Sequence, residues 1–147
     1  MIRAFDLERA LIPSVSDVEP RYTIEEAAQR TGLSPHTLRY YERIGLLDPV
    51  GRAPSGHRRY TEADIGLIEF LTCLRQTGMP IRAMRHFVEL MRAGDHTIPE
   101  RIEALVAHRE SLTEQLARLR RHFEILTHKI EYYRALLGEH PDELIRS

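Results

Sequence analysis

Residues 34–47 read Ser-Pro-His-Thr-Leu-Arg-Tyr-Tyr-Glu-Arg-Ile-Gly-Leu-Leu, and this stretch sets the terms for the rest of the chain. Ser34 is a good helix N-cap, and Pro35 suits the first helical position, where a missing N–H costs nothing. Gly45 supplies a stop, so a helix is expected from about Pro35 to Ile44. On a helical wheel Thr37, Leu38, Tyr41 and Ile44 gather on one side, and His36, Arg39, Tyr40 and Arg43 form an arc on the other. Arginines on such an arc can meet phosphates or guanine edges, and a tyrosine hydroxyl can bond a phosphate. For one helix alone, a solvated basic face is the better reading. The flanking sequence has to decide.

Upstream, Thr23-Ile24-Glu25-Glu26 is a capping box that opens a short helix, and Gly32 closes it before Ser34 begins the next. Two short helices joined by a tight glycine turn, the second carrying a basic arc, make a helix-turn-helix over about 23–44. Downstream, 46–60 reads as a wing. Leu46–Asp48 and His57–Tyr60 are expected as short strands, with Pro49, Gly51, Pro54, Ser55 and Gly56 between them as turn residues. Its His57-Arg58-Arg59 tip would reach the DNA backbone or the adjoining minor groove. Arg59 could instead pair with an acid, and Tyr60 is expected in the core.

The charge distribution agrees with this placement. The whole chain carries a formal charge of −1, yet residues 21–60 hold seven Lys/Arg against four Asp/Glu. The positive excess therefore lies where the candidate reading helix lies. With 42% hydrophobic and 29% charged residues the composition is that of an ordinary soluble protein. One cysteine, Cys73, leaves no intrachain disulfide and fits a reducing compartment. No apolar run reaches membrane-span length and the N-terminus has no signal-peptide core, so a cytoplasmic location is expected.

Residues 1–20 read as a flexible extension broken by Pro13 and Pro20. After the wing, Thr61-Glu62-Ala63-Asp64 opens a helix with Ile65, Ile68, Leu71 and Leu74 as its apolar stripe, stopping at Gly78. Pro80 opens another with Ile81, Met84, Phe87, Val88 and Met91, closed by Gly94. These complete a DNA-binding domain over 21–93. Over 94–137 the series Ile98, Ile102, Leu105, Arg109, Leu112, Leu116, Leu119, Phe123, Leu126, Ile130, Tyr133, Leu137 steps by four and three, with eleven of twelve positions apolar. That is a coiled-coil heptad on a helix roughly 60 Å long, whose narrow seam needs a second helix. Another copy of the chain is the simplest supplier, with Ile102, Leu105, Leu112, Leu116, Leu119, Phe123, Leu126 and Ile130 at the interface. A short tail, 138–147, follows. No paired catalytic carboxylates, Cys–His constellation or phosphate-cradling glycine loop is visible, so an enzyme is not expected and no cofactor is called for.

The strings TIEEAAQRTGLSPHTLRYYERIGLL and GHRRYTEADIGLIEFL, in this order of elements, closely resemble the MerR family of bacterial transcription regulators. The likeness runs from about Tyr22 to Leu137. It implies a mainly α fold, with a winged helix-turn-helix followed by a long helix that forms an antiparallel coiled coil in a homodimer. It places Thr37, Arg39, Tyr40 and Tyr41 on the recognition helix, Arg58 and Arg59 on the wing, and Tyr22 at the start of the module. The implied partner is double-stranded promoter DNA, whose overlong spacer is bent and untwisted so that RNA polymerase, an indirect partner, can engage both promoter elements.

Metal-sensing members of the family carry thiolates at the start of the long helix and in a loop after it. Here those regions, Asp95-His96-Thr97 and 138–147, contain no cysteine, so no soft-metal site is expected. His96, His108, His122 and His128 are spaced along the helix as a solvated face. Only about ten residues follow the coiled coil, too few for an appended ligand domain. The context of Cys73, GLIEFLTCLRQTGMP, resembles the NmlR/AdhR-like branch linked to aldehyde and thiol-electrophile stress. Cys73 is thus either a sensor thiol or a small packing residue. Two rival functions stay open: a coiled-coil interaction protein whose N-terminal module binds protein, and a regulator of this family with a non-covalent effector.

Overall fold

Three successive helix starts are written in capping residues, and the structure, a computed structural model, builds a helix at each. It describes residues 19–48 and 60–138. Helix α1 (Ile24–Thr31) begins at Thr23, whose hydroxyl accepts from the Glu26 N–H while the Glu26 carboxylate accepts from the Thr23 N–H. Helix α2 (Pro35–Arg43) begins at Ser34, whose Oγ accepts from the Thr37 N–H at 3.1 Å. Helix α3 (Glu62–Gln76) opens on a reciprocal Thr61–Asp64 box. Helix α4 (Ile81–Ala93) follows Pro80, and a 3₁₀ turn (Asp95–Thr97) leads into α5 (Ile98–Leu136). Each cap satisfies N–H groups that a helix start leaves without intrahelical partners.

The apolar periodicities resolve into one core. Ile24 and Ala27 of α1, Leu38 and Tyr41 of α2, Ile65, Ile68, Leu71 and Leu74 of α3, and Met84, Phe87 and Val88 of α4 are all buried. Phe70 and Phe87 join α3 to α4 with ring centroids 5.7 Å apart in a tilted arrangement. The α4 stripe is narrower than its sequence suggests: Ile81 is half-buried and Met91 exposed.

Around the expected wing the structure corrects the strand assignment. Leu46–Asp48 is not a strand, because the N–H groups of Leu46 and Leu47 both donate to the Tyr41 carbonyl, at 2.9 and 3.2 Å, closing the end of α2. Both leucine side chains are buried, so the alternation a half-exposed strand needs is absent. Tyr60 does not pair with 46–48 either. It forms an isolated antiparallel bridge with Tyr22, exchanging N–H···O bonds of 3.0 and 2.7 Å. The segment 49–59, with His57, Arg58 and Arg59, lies outside the described residues, as do the extension up to residue 18 and the tail from residue 139.

A polar clasp holds the corner where these pieces meet. The carboxylate of Glu62, the first residue of α3, accepts a two-pronged bond from Arg30 at the end of α1, at 2.9 and 3.1 Å. The same carboxylate accepts the hydroxyl of Tyr22, and the Arg30 guanidinium lies 4.9 Å from the centre of the Tyr22 ring. The bonds to Glu62 hold Arg30 more firmly protonated, outweighing the opposing effect of its partial burial. On the other side, Arg92 of α4 meets Asp48 at 2.8 Å. Asp48 and Tyr60 are thereby each bonded to other parts of the same unit.

The chain divides into two compact units at Ile102/Glu103. The second, as far as it is described, is the body of α5 and nothing else, and no residue of α5 is buried. Along the expected seam Leu116, Leu119, Phe123, Leu126 and Ile130 are 52–69% exposed, while Leu105 and Leu112 are half-exposed. A heptad stripe this open has no partner within its own unit.

The clasp generates one prediction. Glu62→Gln keeps the side-chain size but removes the charge that Arg30 and Tyr22 share. It should lower unfolding stability by about 1–2 kcal/mol, more than an exposed pair because the bond is forked and partly buried. Urea denaturation checks this, and a loss below about 0.5 kcal/mol would mean the corner is held by the apolar core alone.

Candidate nucleic-acid interface

Helix α2 can be held in only one rotational setting, because Leu38 and Tyr41 must enter the core. That setting turns His36, Arg39, Tyr40 and Arg43 outward, and all four are exposed. The Arg43 guanidinium lies 5.5 Å from the Tyr40 ring centre, which braces both side chains at the end of the helix. The arc thus presents two guanidinium groups, an imidazole and a phenol on one solvent-facing surface. These are groups that bond phosphate oxygens and purine edges.

Other expected contact residues are placed differently. Tyr41 is only 5% exposed, on the core side of α2 where the helical wheel places it, so it is not part of the outward arc. Burial raises the pKa of its phenol, and nearby Arg75 pulls in the opposite direction. Thr37 is half-buried, and its hydroxyl lies 3.0 Å from that of Ser34, within the helix cap. Tyr22 is also half-buried and its hydroxyl is bound to Glu62, so it braces the module from behind. His57, Arg58 and Arg59 fall in the segment outside the described residues.

Packing adds one residue that the helix-turn-helix reading passes over. Arg75, exposed in the last turn of α3, is near enough to Tyr41 to act on its phenol. Nothing in local sequence signals this influence, since α3 begins well beyond the helix-turn-helix.

Cys73 sits one residue before the buried Leu74 and is itself exposed in the single chain. Its backbone carbonyl accepts from both the N–H and the hydroxyl of Thr77, at 3.0 and 2.8 Å. Among the described residues no group of three His, Cys, Asp or Glu gathers to hold a metal ion. None of the described helices is long and apolar enough to cross a membrane.

Comparison with known proteins bears on the same elements. Residues 22–90 match the family described as MerR HTH family regulatory protein. An HTH-type transcriptional regulator of Haemophilus influenzae, itself uncharacterised, is 38% identical over 112 residues, which span 76% of this chain and 83% of the relative. The HTH-type transcriptional regulator AdhR of Bacillus subtilis is 44% identical over 91 residues, 62% of this chain and 65% of AdhR. Among solved structures, HiNmlR, a MerR family regulator lacking the sensor domain and bound to promoter DNA, superposes with a TM-score of 0.71 at 37% identity. That match covers 80% of this chain and 95% of HiNmlR. With a helix-turn-helix, a following helix pair and one long helix matched over most of the length of such relatives, this chain belongs to the MerR family of HTH transcriptional regulators, in its NmlR/AdhR-like branch.

Proposed function

We propose that the protein is a homodimeric, sequence-specific DNA-binding regulator that acts in the cytoplasm on double-stranded promoter DNA and has no catalytic activity of its own. The observation that carries this reading is the outward arc of α2, His36, Arg39, Tyr40 and Arg43, braced from behind by the buried Leu38 and Tyr41. The relative HiNmlR, bound to promoter DNA, supports it. In this reading residues 21–93 form the DNA-binding domain, with Arg58, Arg59 and His57 extending its contacts from the wing. Residues 94–137 pair with a second copy in an antiparallel coiled coil through Ile102, Leu105, Leu112, Leu116, Leu119, Phe123, Leu126 and Ile130. Two rigidly linked reading units then bend and untwist the spacer between promoter elements, and RNA polymerase responds to the changed DNA rather than to the protein.

We place the incoming signal at Cys73, as an electrophile or oxidant. What supports this is its exposure on α3, whose last turn also carries Arg75. The charge pattern of α2 favours nucleic acid over a protein ligand for the N-terminal module.

Three tests follow from these assignments. Arg39→Ala should lose roughly 1–3 kcal/mol of specific DNA binding, whereas Arg58→Ala should weaken all sequences alike and lower the salt slope by about one. Binding isotherms across a salt series measure both, and unchanged affinity in the two variants defeats the interface. For the seam, a Leu116→Lys, Leu119→Lys double variant should sediment as a monomer at micromolar concentration, because charges would have to enter a dry seam. A dimer in that experiment puts the interface elsewhere. For the signal, Cys73→Ser should bind DNA normally yet lose the formaldehyde response in a reconstituted transcription reaction, with no mass adduct at this position. Equal responses from both proteins remove Cys73 from the mechanism.

A further inference from the structure

Between α4 and α5 the backbone breaks at Gly94, with φ 114° and ψ 177°, a region essentially closed to residues with a Cβ. The turn is closed by hydrogen bonds converging on one carbonyl. Gly94 O accepts from the Thr97 N–H at 3.1 Å, from the Thr97 hydroxyl at 2.8 Å and from Arg101 Nη2 at 2.7 Å. Arg101 Nε in turn donates to the Thr97 hydroxyl oxygen at 3.0 Å. That hydroxyl also reaches the Leu90 carbonyl, one of those the last turn of α4 leaves without an intrahelical partner. Thr97 is 6% exposed, the one buried polar residue among those described. Asp95 lies 3.9 Å from Arg101 but is itself exposed, so its pull is weak.

Apolar packing does little at this elbow. Met91 and Ile98, which flank it, are exposed, and so is Ile102 one turn further on. Within the single chain, the turn from α4 into the start of α5 is therefore held chiefly by directional polar bonds. The consequence is amplified by length: on a helix roughly 60 Å long, a change of about 10° at one end displaces the other by about 10 Å.

We infer that Arg101 is a positioning residue, which through Thr97 and Gly94 fixes the angle between α4 and α5 and thereby sets the half-site separation the dimer accepts. The inference rests on the proposed function, since it needs two reading units joined by paired α5 helices. Arg101 touches no DNA. It acts by stiffening the elbow, so that duplexes of the wrong spacing must be distorted to be bound.

The test uses the full chain and a duplex with inverted half-sites, selected by the wild-type protein from a random library. The centre of that duplex is then lengthened or shortened in single base-pair steps. Wild type should show a sharp optimum. Arg101→Met should bind the optimal duplex more weakly and the shifted ones relatively better, so that the discrimination ratio falls by about tenfold, as expected for loss of charge-assisted bonds. Thr97→Val should do the same with the guanidinium intact, whereas Thr97→Ser, which keeps the hydroxyl, should restore the optimum. Sedimentation shows that each variant is still a dimer. A spacing profile unchanged in Arg101→Met and Thr97→Val, or a loss equal at every spacing, overturns the positioning role. Failure of the wild type to bind any selected duplex overturns instead the DNA-binding reading, and this inference with it.

Discussion

A nine-residue helix is too short to persist in water, so α2 exists only because Leu38 and Tyr41 are buried. That burial is the constraint on which the rest of the molecule depends. With two residues one turn apart fixed in the core, the remaining rotational freedom of the helix is gone, and Arg39, Tyr40 and Arg43 have one direction to face. The neighbouring features serve the same setting. Leu46 and Leu47 fold back to close the end of α2 and are themselves buried, and the Ser34 cap fixes its beginning. A reading surface results from a packing requirement, with no separate device needed to orient its cations.

Stiffness in the N-terminal unit comes from two kinds of bond. Apolar stripes on α3 and α4 supply the non-directional part. Direction comes from charge-assisted bonds at the edges, where the core thins out. Glu62 gathers Arg30 and Tyr22, Asp48 meets Arg92, and Arg101 bonds across the elbow to Gly94. Each of these joins separate segments of the unit. Removing a partner there would cost modest stability but change geometry, which is the more damaging loss for a protein that must match two half-sites at once.

The long helix obeys the opposite logic. Its stripe from Leu116 to Ile130 is open to solvent within its own unit, and its N-terminal turn is held by polar bonds instead of a core. Such a helix contributes nothing to the stability of a single chain and acquires its purpose from a second one.

Everything local was legible in the sequence. The caps at Thr23, Ser34 and Thr61, the stripe Ile65–Leu74, the outward side of α2 and the heptad from Ile98 each depend on residues within a few positions of one another, where helical periodicity fixes which side chains share a face. The likeness to MerR regulators could be drawn from the same strings. Choices among distant partners were not legible. Tyr22 looks like an exposed contact residue at the start of the module, yet it is half-buried and its hydroxyl is bound to Glu62. Leu46–Asp48 has the composition of a strand, but its N–H groups close a helix, and Tyr60 pairs with Tyr22 instead. The clasp of Arg30 and Tyr22 on Glu62 forms only because α1 and α3, well apart in sequence, pack together. A side chain's face is set by its own helix, but its partner is set by which other helix arrives, and that is decided by the core as a whole.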